Sequence, residues 1–124
     1  MDKFIKVLVS TDTKDWNEKA AEGAVKRGIE LNIIERNGKV LLDNIARLKP
    51  DVILMELYMQ GMDAFSVINT MKKNFRELPV IIVTAAYATP IIERELLSLG
   101  CDFFMLSPFF SRIISLVKNS TSHL

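Results

Sequence analysis

Two patterns predict that this chain folds as an α/β doubly wound sandwich, a five-stranded parallel sheet with five helices. Short, nearly continuous apolar runs alternate with amphipathic stretches along the whole of its 124 residues, which is the βαβα order that builds such sheets. The runs are strand-length, rich in β-branched and aromatic residues, and apolar at nearly every position, as strands covered on both faces must be.

Taken in order, the first strand is expected at Phe4–Val9, and Asp15–Arg27 follows as a helix with Trp16, Ala20 and Ala24 on one stripe. Leu31–Glu35 reads as the second strand, and Val40–Leu48 as a helix buried along Leu41, Ile45 and Leu48. Val52–Leu57 is the third strand, and the helix Ala64–Phe75 after it carries Phe65, Ile68, Met71 and Phe75 inward. Val80–Val83 is the fourth strand. Thr89 and Pro90 open the fourth helix as N-cap and first-turn proline, and Gly100 closes it. Phe103–Leu106 is the fifth strand, and the last helix begins at Pro108 and fades into Asn119–Leu124.

A single domain of this length buries roughly 70% of its unfolded surface, so it needs no disulfide or metal staple. That domain is expected over residues 1–119, with 120–124 a polar tail or the start of a linker. Sixteen basic against fifteen acidic residues leave a net charge of +1. This argues against direct nucleic-acid binding by the chain, because phosphate recognition leans on a basic excess. No apolar run approaches the ~20 residues that cross a bilayer, and the N-terminus lacks the apolar core of a signal peptide. The lone cysteine, Cys101, cannot form an internal disulfide. A cytoplasmic location without membrane association is therefore expected. The lone histidine, His123, lies in the tail, so neither a zinc cluster nor a base for a serine nucleophile is in view. Met55, Met59, Met62 and Met105 read as packing residues around the sheet.

Sheets of this type build their sites in the loops after the carboxyl ends of the strands, which here are Ser10–Thr13, Glu56–Met62, Thr84–Tyr87 and Ser107–Pro108. None holds a glycine-rich dinucleotide turn or a phosphate-cradling P-loop, which argues against a nucleotide or flavin cofactor. Taken singly, the residues have ordinary readings. Glu56 is a solvated strand end, Asp12 an N-cap for the first helix, Thr84 a strand end or turn cap, and Phe104 a core aromatic.

Taken together they do not. The stretch Asp51-Val-Ile-Leu-Met-Glu56-Leu-Tyr-Met-Gln60-Gly-Met-Asp63-Ala64 resembles the receiver domain of two-component response regulators, whose third strand ends in a phosphoacceptor Asp before a Met-Pro-Gly-Met-Asp-Gly-like turn. Lys6-Val-Leu-Val-Ser-Thr11-Asp12 resembles the first strand with its acidic pair, and Val80-Ile-Ile-Val-Thr84-Ala85 the fourth with its switch hydroxyl. Leu99-Gly-Cys-Asp-Phe-Phe104-Met-Leu-Ser107-Pro108-Phe109 resembles the fifth, with Phe104 at the aromatic switch position and Ser107 where the family has Lys before proline. The wording Asp-Phe-Phe-Met-Leu-x-Pro-Phe is similar to the receiver of the sporulation master regulator. The resemblance spans essentially the whole chain and implies a flavodoxin-like fold.

It also implies a reaction, and three of that reaction's parts are altered. Glu56 stands at the phosphoacceptor position, Thr11 replaces one acid of the pair, and Ser107 replaces the lysine. Gln60 and Ala64 replace the turn's proline and glycine. Removing one preorganised charge-stabilising group costs ~10² to 10³ in rate, and a carboxylate displaced by about 1 Å costs a further ~10². Aspartyl phosphorylation is thus not expected, and the chain is expected not to be an enzyme. No cofactor is expected beyond weak Mg²⁺ on Asp12, Glu56 and the backbone carbonyl of Tyr58. The reading is an atypical receiver acting through protein contacts. Its partners are itself, another receiver, a sensor kinase or an output domain, with transcription regulated through an attached domain. The alternative is a working receiver phosphorylated at another aspartate, Asp12 or Asp63. A weak homodimer is expected through the fourth helix, fifth strand and fifth helix. There Ile91, Leu97 and Leu116 fall off the inward stripes (Ile92, Leu96 and Leu99 on one helix, Phe110, Ile114 and Val117 on the other), and Glu93, Arg94, Glu95 and Arg112 supply a charged rim.

Overall fold

The computed structural model describes residues 4–11, 18–106 and 110–121. Ten elements alternate along them: β1 (Ile5–Ser10), α1 (Glu18–Lys26), β2 (Ile29–Ile34), α2 (Gly38–Leu48), β3 (Val52–Glu56), α3 (Ala64–Asn74), β4 (Val80–Ala85), α4 (Pro90–Leu99), β5 (Phe103–Leu106) and α5 (Phe110–Ser120). The strands form one parallel sheet in the order β2-β1-β3-β4-β5, the expected flavodoxin-like α/β fold. The strand order reverses between β1 and β3, the place where such sheets open a crevice.

Two apolar clusters sandwich the sheet, and strand alternation decides which residue enters which. On one face Leu8, Ile53, Met55, Ile81 and Val83 meet Leu41 and Ile45 of α2, Val67, Ile68 and Met71 of α3, and Leu96 of α4. On the other, Val7, Val9, Val52, Leu54, Ile82 and Met105 meet Ala24 of α1 and Ile113, Ile114 and Val117 of α5. Met55 and Met105 are buried, and Met59 and Met62 pack half-buried against the first cluster, as their reading as packing residues required.

The helix ends show why these segments begin and stop where they do. Thr89 caps α4 by accepting from Ile92 N–H at 3.2 Å, Pro90 stands in its first turn, and Gly100 follows its end at φ +135°. Asp63 caps α3 through Ser66 N–H at 2.9 Å. Several expected boundaries move. The second helix starts at Gly38, not Val40, because the Asn37 side chain accepts from both Lys39 N–H and Val40 N–H and so nucleates the turn earlier. β2 starts at Ile29, not Leu31, because Ile5 of β1 takes Ile29 as its register partner. Ile113 is buried beside Ile114 and Val117, although the expected stripe omitted it. Leu116, expected to be surplus surface, is half-buried against the second cluster.

Candidate functional site

The carboxyl ends of β1, β3 and β4 bring together Ser10, Thr11, Glu56 and Thr84. Glu56 and Thr84 are register partners on adjacent parallel strands. Alternation puts both on the α1/α5 face of the sheet, one step beyond Leu54 and Ile82. Thr84 is 2% exposed and its Oγ1 has no hydrogen-bond partner among the described residues. Thr11 is also buried, at 3%.

The Glu56 carboxylate does not stand in solvent. Arg36, from the β2–α2 loop, donates Nη1–H to Glu56 Oε2 at 3.0 Å, with the two side chains 48% and 22% exposed. Local backbone geometry delivers that guanidinium. Asn37 forms a parallel bridge with Gln60, Gly38 N–H donates to Gln60 C=O at 2.8 Å, and Gln60 N–H donates to Arg36 C=O at 3.4 Å. From beneath, the Ser10 hydroxyl donates to Glu35 C=O at 2.8 Å and accepts from Asn37 N–H at 3.3 Å. Only glycine fits at position 38, because a Cβ there would lie 2.3 Å from the Met62 carbonyl oxygen. The β2–α2 and β3–α3 loops are therefore zipped side by side, and Arg36 is carried to Glu56 by the seam.

The remaining expected residues are dispersed. Tyr58 is 65% exposed on the β3–α3 loop. Phe104 is half-buried on the opposite face of the sheet from Thr84, packed with the α2/α3/α4 cluster, and its register partner is Val83. Asp12, Ser107, Pro108 and His123 lie outside the described residues. Among the described residues no group of three or more His, Cys, Asp or Glu could hold a metal. The donors left for Mg²⁺ are Glu56 and the Tyr58 carbonyl. A guanidinium 3.0 Å from Oε2 competes for that oxygen and repels a dication. On the proposed docking face, Ile91 (60%) and Leu97 (44%) are exposed as expected, and Leu106 (50%) joins them. Beside them Leu97, Phe103, Met105, Arg112 and Leu116 line a shallow cavity of about 630 Å³.

Comparison with known proteins decides what this arrangement belongs to. The family described as the response regulator receiver domain matches residues 7–117. The chain is a member of that family. It is 33% identical over 73 residues to the heme response regulator HssR of Staphylococcus aureus, a match covering 59% of this chain and 32% of that protein. The chain thus spans about a third of the length of the curated relatives it matches. Among solved structures it is similar to the receiver domain of the response regulator NarL from Mycobacterium tuberculosis, with TM-score 0.83, 20% identity and 98% of each chain covered. It is also similar to the receiver domain of Francisella response regulator 1452, with TM-score 0.80, 25% identity, and 95% and 97% of the two chains covered. As a receiver domain it is a signalling module of two-component systems. Among the described residues no helix is long and apolar enough to cross a membrane.

Within the receiver, the position of Glu56 was legible from its motif and that of Arg36 was not. Arg36 reads as an ordinary loop residue in Glu35-Arg-Asn-Gly38; the available signal was Asn37-Gly38 itself, a cap and a close approach that pin the residue before them.

Proposed function

We propose that this receiver signals through protein contacts and is not switched by aspartyl phosphorylation. The observation that carries this reading is the ion pair: the side chain at the phosphoacceptor position is a glutamate whose carboxylate is already engaged by Arg36 at 3.0 Å. A carboxylate so held is a poor nucleophile toward a phosphoryl donor, and it lies a methylene beyond where an aspartate would end. Of the two alternative aspartates, Asp12 and Asp63, the second is committed to capping α3. The partners this reading implies are a second copy, another receiver, a sensor kinase, or an output domain that regulates transcription.

The test is the intact mass after incubation with acetyl phosphate or phosphoramidate and Mg²⁺. The mass is expected to stay unchanged. A species heavier by the mass of one phosphoryl group in most of the sample within an hour overturns the proposal and assigns phosphorylation to another residue, which peptide mapping then locates.

A further inference from the structure

We propose that the end of the sheet opposite the receiver site holds a second site, a cleft that takes a small apolar carboxylate. It stands independently of how Glu56 is read. The cleft, of about 630 Å³, lies at the amino ends of β3 and β4, where α2 and α3 terminate. Ile45, Pro50, Phe75, Leu78 and Pro79 give it apolar walls, and Leu78, 43% exposed, leaves part of that surface uncovered. A concave, mostly apolar cavity of this size with a few charged groups at its edge is the form that small-molecule sites take.

Lys49, Asp51, Arg76 and Glu77 share the lining, and their existing partners decide the sign of the ligand. Asp51 is engaged, its Oδ2 accepting from Lys6 N–H at 2.9 Å. Lys49 and Arg76 are in no ion pair among the described residues, which leaves two cations against Glu77 alone. The Lys49 backbone is also held in place. Among the described residues it is the only non-glycine at positive φ (48°), with its N–H on Ile45 C=O at 3.0 Å, in a C-cap that glycine ordinarily fills. The C-terminal ends of α2 and α3 carry partial negative charge that opposes an anion, so recognition rests on these two side chains. A guanidinium and an ammonium on one cleft suit a carboxylate, and the walls suit an aryl or alkyl body.

The probe is hydrocinnamate, added to isotope-labelled protein while backbone amide shifts are followed by NMR. Saturable shifts at Lys49, Asp51, Phe75, Arg76, Leu78 and Val80 are expected, half-complete at a concentration on the order of millimolar, as the contacts of so small a ligand allow. Hydrocinnamyl alcohol, with the same body and no charge, should bind about fivefold more weakly. Acetate, with the charge and no body, should give no saturable shift at those amides. Lys49→Gln with Arg76→Gln, both exposed positions, should weaken the acid to the level of the alcohol. Lys19→Gln with Lys26→Gln, which removes the same net charge from exposed positions on α1, should leave it unchanged. Absence of saturable shifts at the cleft, shifts centred on another surface, equal affinity for acid and alcohol, or a cleft variant that binds as wild type does each overturn the proposal. The comparison of acid with alcohol needs no substitution, so it decides the matter even where the cleft variant does not fold.

Discussion

Cys101 shows how one residue's surroundings set its chemistry. Its thiol is 4% exposed and donates to the carbonyl of Phe103 at 2.9 Å, at the entry to β5. Burial is the largest influence and pushes its pKa from the ordinary 9.0 up to about 11, against smaller opposing effects of backbone hydrogen bonds. The folded chain thus holds this proton more tightly than the unfolded chain does. Its contribution to stability is complete below 9 and is lost as pH rises from 9 through about 11. Cys101→Ala should therefore lose less stability than wild type across that alkaline window, measured as the unfolding midpoint against pH; parallel curves would contradict the assignment. In the native protein at neutral pH the thiol should resist alkylation until denaturant is added. The burial of Cys101 was legible from its apolar neighbours. The partner of Glu56 was not, because Arg36 lies 20 residues away in sequence and reaches it only through the bridge between two loops. Periodicity reports which face a side chain takes within its own element, and it carries no term for contacts between loops.

The seam between the β2–α2 and β3–α3 loops supplies the test at the level of elements. A glycine inside a helix is ordinarily less favourable than alanine by about 1 kcal/mol, so Gly→Ala usually helps. At Gly38 the sign should reverse. The added Cβ meets the Met62 carbonyl oxygen at 2.3 Å, a backbone atom that cannot swing aside, and Met62 itself is tied by Met62 N–H donating to Gln60 C=O at 2.9 Å. Forcing the loops apart costs on the order of 1–3 kcal/mol, as overpacking does elsewhere. That outweighs the helical gain. Chemical denaturation of Gly38→Ala should show a net loss of up to about 2 kcal/mol, and a more stable variant would mean that the loops are not in register. The caps of α4 were readable in advance because Thr-Pro and a closing glycine are local devices. α2 starts two residues earlier than expected because its cap, Asn37, is recognised only once its side chain is seen on Lys39 and Val40 N–H.

Over the whole molecule, five apolar runs in fixed alternation leave few ways to cover both faces of a sheet, so the topology was legible. The sheet's order also fixes its edges, β2 and β5. Beside the β5 edge, Ile91, Leu97 and Leu106 remain exposed among Glu93, Arg94, Glu95 and Arg112. Apolar surface rimmed by both charge signs suits an isologous contact, in which each copy offers the same patch. The proposed occupant is a second copy of this receiver or another receiver carrying the same face. Leu116 is unsuitable as a probe because it packs half-buried against the second core cluster, and a charge there would disturb the fold as well as the contact. Leu97 and Leu106, 44% and 50% exposed, separate the two effects. Sedimentation should show a dimer growing with concentration. Leu97→Glu with Leu106→Glu should abolish it while leaving the unfolding midpoint within about 2 °C of wild type, since exposed substitutions usually change stability by less than ~0.5 kcal/mol. A protein that stays monomeric at every concentration would exclude self-association through this face, and dimers that survive the double substitution would place the contact elsewhere.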